Sequence, residues 1–151
     1  MTFEVLHEGT ECNCVDGVGT DTESTFLRTV GGNQPKERDF MSHWERYKKQ
    51  GKEIEAKGCA DTCGWKGVSM NKADGYDEEE IITVFRQRLM FSPQSKMYIC
   101  RFKTGSENGV VNHTPNDDHD SHHDLLKCDV FSVEKLESVS VVKIELEDDA
   151  D

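Results

Sequence analysis

Apolar and polar positions along the chain fall into short, distinct patterns. Residues 2–6 (TFEVL) alternate as a short half-buried strand does. Residues 24–30 (STFLRTV) concentrate β-branched and aromatic side chains and end at Gly31-Gly32. That pattern predicts a buried strand with Arg28 inside it. Between Pro35 and Gly51, residues Phe40, Met41, Trp44 and Tyr47 recur at helical spacing. Proline near the start and glycine past the end punctuate a helix. The basic residues Arg46, Lys48, Lys49 and Lys52 fall near its C-terminus. There they complement the helix dipole, which accounts for them without a ligand.

Residues 52–63 are polar and unpatterned, and GWKGVSM (64–70) reads as a short strand. Asp77 and Glu80 form a capping-box signature ahead of Ile81, Ile82, Phe85 and Leu89. These apolar residues share one face of a second helix, which Ser92-Pro93 stops. In KMYICRFK (96–103), Tyr98, Cys100 and Phe102 point one way and Met97, Ile99 and Arg101 the other. After Val110-Val111 comes a polar stretch, NHTPNDDHDSHHD (112–124), with the composition of a loop. Order returns at LLKCDVFSV (125–133) and in the alternating segment VSVVKIEL (139–146).

The predicted order is ββ-α-β-α-β-β-β. Strands gathered toward both ends, with helices between them, predict an α+β fold in place of repeating βαβ units. The expected architecture is a mainly antiparallel sheet with two helices inserted mid-chain. The length of 151 residues suits one domain, here residues 1–146, followed by an acidic tail, 147–151.

Charge changes the picture more than composition does. The formal net charge of −12 is concentrated at the two ends, around a mildly basic middle. Such a chain repels phosphate backbones at long range, which argues against non-specific nucleic-acid binding. It favours a basic protein partner instead. No apolar run reaches the roughly 20 residues a membrane span needs. The N-terminus has no signal-peptide pattern, so the expected compartment is the cytoplasm and the expected cysteines are thiols or metal ligands.

Three groups of residues carry candidate chemistry. Cys12-x-Cys14 and Cys59-x3-Cys63 are two close pairs whose four thiolates would complete a tetrahedral structural zinc site. The alternatives are scattered reduced cysteines or a redox pair. Cys100 and Cys128 read as small buried hydrophobes. The second group is the histidine-acid stretch, with His119, His122 and His123 as metal ligands. A metal held there would activate water in a metal-dependent hydrolase. The other reading of that stretch is a solvated polar loop.

The third group is Arg28 in an apolar strand, Ser69 at the end of an aromatic-led segment, and His123-Asp124 ahead of the closing strands. These three blocks resemble the layout of ADP-ribosyltransferase-like domains. The resemblance implies that Arg28 grips a dinucleotide, that Ser69 shapes the nicotinamide pocket, and that His123 occupies the late catalytic position. His123-Asp124 stands where that family carries glutamate. Walker A, GxGxxG, GxSxG and EF-hand patterns are absent from the sequence. The leading expectation is therefore a small acidic interaction or regulatory protein that binds a basic protein, with or without a structural zinc. The NAD-using transferase and the metal-dependent hydrolase are its rivals.

Overall fold

A computed structural model describes residues 1–89 and 96–145. The helix stop at Ser92-Pro93 and the tail 147–151 lie outside the described residues. The elements run β1 (Phe26–Val30), α1 (His43–Lys49), α2 (Gly58–Lys66), β2 (Val68–Lys72), α3 (Glu78–Leu89), β3 (Lys96–Lys103), β4 (Gly109–His113), β5 (His122–Lys127) and β6 (Glu137–Glu145). All six strands form one antiparallel sheet in the order β4-β5-β2-β1-β3-β6. The fold is α+β with its helices mid-chain, and among the described residues three α-helices stand where the periodicity predicted two.

Strand alternation sorts the core onto the two sides of the sheet. Phe26, Val68, Met70, Cys100, Phe102 and Leu125 pack together with Phe40 and Leu136. The Phe40 ring meets Phe102 edge-on at 5.3 Å between centroids. Leu27, Met97 and Ile99 face the other way, against Ile81 and Phe85 of α3. Toward β4 and β5, Val110 and Leu126 are covered by Leu6 and Cys14 of the N-terminal segment.

Three segments depart from their sequence patterns. Residues 2–6 do not form a strand; the chain turns from residue 4 to residue 9, and side chains satisfy part of its backbone. Asp129 accepts from the Val5 amide at 2.8 Å, and Lys66 Nζ donates to the carbonyl oxygens of Leu6 and Glu8. The polar stretch before β2 contains α2, which buries only Thr62 and Lys66 and so shows no apolar stripe. The histidine-rich stretch does not end as a solvated loop. It enters the sheet as β5, with His122, His123 and Asp124 all buried.

One irregularity of the sheet positions the site. β1 pairs along all five of its residues with β3, and β2 pairs at four positions with β5. β1 and β2 share only two pairs, Phe26–Lys72 and Leu27–Asn71. Beyond Leu27 the ladder between them stops.

Candidate anion-binding cleft

Arg28 sits where the β1–β2 ladder ends. Its Nη1 donates to the Ser69 carbonyl oxygen and its Nε to the Asp39 carbonyl oxygen, each at 2.6 Å. The guanidinium thus takes the place of the missing ladder bonds. A buried polar group needs such partners, since each one left unsatisfied costs about 1–3 kcal/mol. Asp39 in turn organises the loop after β1, accepting from the Gly31 amide at 3.0 Å and the Lys36 amide at 2.8 Å.

The chain then enters α1 through a capping box. The Ser42 side chain accepts from the Glu45 amide, and the Glu45 carboxylate accepts from the Ser42 amide. A Glu45–Lys127 ion pair at 2.7 Å ties the start of α1 to the end of β5. His43 and Arg46, three positions apart, therefore face the same side of α1. Both line a cleft of about 570 Å³ together with Arg28, Arg38, Arg88 and Ser69. Its wall is completed by Tyr98, Asn116, Asp118 and His122.

The cleft inverts the sign of the molecule. Among the described residues, four arginines face two aspartates, Asp39 and Asp118, in a chain of net charge −12. Twelve of the eighteen cations in the chain are lysines, yet every lysine or arginine lining the cleft is an arginine. Arginine's planar fork matches a phosphate or carboxylate in two-point contact, whereas lysine offers a point charge. Arg88 pairs with Asp118 at 3.1 Å. Among the described residues, Arg28, Arg38 and Arg46 form no ion pair with a carboxylate.

The titratable groups report the same crowding of positive charge. Burial, then the neighbouring Arg46, lowers the Arg28 pKa to about 10, so Arg28 stays charged at neutral pH. Burial also lowers the His43 pKa, with Arg46 and Arg28 adding to the shift. Asp124 lies beneath Gly67 and is buried. Burial raises its pKa, while His122, Thr114 and Arg28 pull the other way. A second cavity of about 390 Å³, under the N-terminal segment, is lined by Leu6, Met41, Trp44 and Phe131. Its buried cation, Lys66, already donates to two backbone carbonyls and lies 4.3 Å from the centre of the Trp44 ring.

The structure treats the three groups of candidate residues differently. Arg28 and Ser69 come together in the cleft, but His123 does not join them. His122 lines the cleft instead, and alternation along β5 points His123 away from His122, onto the Phe26 face of the sheet. There its ring stacks on His113 at 4.5 Å and meets Phe26 edge-on. His119, His122 and His123 do not converge either. His119 bonds to Ser121 and Glu80, His122 to Thr114, and His123 to the Ser121 carbonyl.

The four paired cysteines do meet, but not as free thiolates. Cys12 is joined to Cys59 and Cys14 to Cys63 as disulfides, while Cys100 and Cys128 are free and buried. The expectation of reduced thiols is thus corrected at four of the six positions. In this oxidised form, no group of three or more His, Cys, Asp or Glu among the described residues is placed to hold a metal ion. No helix among the described residues is long and apolar enough to cross a membrane.

The sequence reading missed Arg38, His43, Arg46 and Arg88 as site residues. The i, i+3 spacing of His43 and Arg46 was the one local signal. No protein-family model, curated protein or solved structure matches this chain.

Proposed function

We propose that this protein binds a small phosphate-bearing molecule in the arginine cleft. The observation that carries the reading is the convergence of four arginines, three of them without an ion-pair partner among the described residues. The cleft is cationic, and the ligand that suits it is an anion rather than the basic protein that the overall charge favours.

Titration calorimetry at low salt with pyrophosphate, ADP and NAD tests this. Binding is expected to weaken as salt rises, because it rests on exposed charge. Arg46→Ala and Arg88→Ala should each weaken it by about tenfold or more, as loss of a charge-assisted hydrogen bond does. If none of the three ligands binds at millimolar concentration, or both variants bind as the parent does, the reading fails.

A second reading is an NAD-using transferase. It draws on Arg28 and Ser69 sharing one cleft, with buried Asp124 near Arg28. Release of nicotinamide from NAD, lost in Arg28→Lys while the variant stays folded, is its expected signature. An unchanged NAD pool after prolonged incubation would remove it and leave the binding reading intact.

A further inference from the structure

Cys12 and Cys14 lie two residues apart in the N-terminal loop, and Cys59 and Cys63 lie one helical turn apart at the start of α2. The disulfides Cys12–Cys59 and Cys14–Cys63 each join loop to helix, with Cα–Cα distances of 5.4 Å and 5.3 Å. Cys59 is exposed, Cys12 half-buried and Cys14 buried. The outer crosslink is thus open to a reductant from solvent, and the inner one is shielded. α2 buries only Thr62 and Lys66, so its attachment to the N-terminal segment leans on these crosslinks and on Lys66.

We propose that these four cysteines form a redox-gated zinc site, two disulfides when oxidised and a zinc tetrathiolate when reduced. Reduction by a dithiol delivers two electrons and two protons to each disulfide, and the dithiol itself becomes a disulfide. Four thiols result. One zinc ion then displaces four protons and forms four Zn–S bonds of about 2.3 Å. A tetrahedral set places its sulfurs roughly 3.8 Å apart, within reach of side chains whose Cα atoms already stand this close. Cys59 and Cys63, at i and i+4 on α2, present both sulfurs to the loop. Backbone amides at the helix start favour the thiolate of Cys59. The gain is structural. α2 and the N-terminal segment stay clasped by disulfides in an oxidising compartment and by zinc in a reducing one.

The test reduces the full chain with dithiothreitol, desalts it anaerobically and titrates it with cobalt(II), followed by zinc competition. One cobalt per chain is expected, with thiolate-to-metal charge-transfer bands and tetrahedral d–d bands that zinc abolishes. Cys12→Ser with Cys59→Ser should weaken binding at least a hundredfold, yet remain folded when oxidised through the inner disulfide. Cys100→Ser with Cys128→Ser should bind as the parent does. A reduced parent chain that takes up no metal would overturn the proposal. So would undiminished binding in the first variant, or lost binding in a folded second one.

Discussion

The two interlaced disulfides are expected to stabilise the fold in a non-additive way. Cys12–Cys59 and Cys14–Cys63 close chain segments with sequence separations of 47 and 49. Either one alone, closing a loop of about 50 residues, stabilises by about 4 kcal/mol through the entropy it removes from the unfolded chain. With one in place, the second closes a ring of only roughly eight residues, and its added contribution falls to about 2.5 kcal/mol. Removing one pair is therefore expected to cost about 2.5 kcal/mol, and removing both about 6.5 kcal/mol. The double loss should exceed the sum of the single losses. The inner pair carries a further term, because Cys14 packs against Leu6, Val110 and Leu126. A serine hydroxyl there adds roughly 1 kcal/mol of destabilisation. Urea unfolding of the oxidised proteins, followed by circular dichroism and tryptophan fluorescence, measures all three variants. A double variant that loses no more than the sum of the singles would refute the loop-closure account.

Other consequences are measurable with the same preparations. A Cβ on Gly67 would lie 2.7 Å from both Cβ and Cγ of Asp124. Gly67→Ala should thus cost about 1–3 kcal/mol by overpacking, and an unchanged urea midpoint would show that Asp124 is not held there. Asp118→Asn frees Arg88 from an ion pair whose two side chains are about half exposed. It should raise pyrophosphate affinity a few-fold with little effect on stability, since such pairs contribute about 0.2–1 kcal/mol. Calorimetry showing weaker binding would contradict that role. Burial lowers the His123 pKa below its usual 6.5. The unfolded state then binds more protons, so stability is fully present above the unfolded pKa and declines as pH falls through it. Thermal midpoints should drop between pH 7.5 and 5.5, and His123→Gln should flatten that slope.

The fold class was readable because α3 carries a helical period and β1 and β3 concentrate apolar and aromatic residues in short runs. What stayed hidden was held by specific partners and not by apolar stripes. β5 begins with two histidines and an aspartate, a loop-like composition, yet His122 and His123 find hydrogen bonds in Thr114 and Ser121 within ten residues. α2 is fastened by disulfides, by Lys66 and by Trp65 edge-on against Tyr47, and no apolar stripe marks it. Arg28 announced itself as a charge within an apolar strand. Arg38, Arg46 and Arg88 did not, since they arrive from three separate segments. Arg46 already had a sufficient local explanation in the helix dipole. The choice between His122 and His123 turns on strand register, which one sequence does not encode visibly. Cysteine spacing left open both whether the four sulfurs meet and their oxidation state.

The truncated ladder between β1 and β2 makes the sheet two three-stranded leaves, β4-β5-β2 and β1-β3-β6, stitched at two residue pairs. Arg28 bridges this seam at the level of the cleft. Thermal opening of the sheet should start there, because local unfolding follows the line of fewest backbone bonds. The cleft draws His122 and Ser69 from one leaf and Arg28 and Tyr98 from the other. An anion seated among them would cross-brace the leaves, and hydrogen exchange at the seam would slow before any amide elsewhere responded.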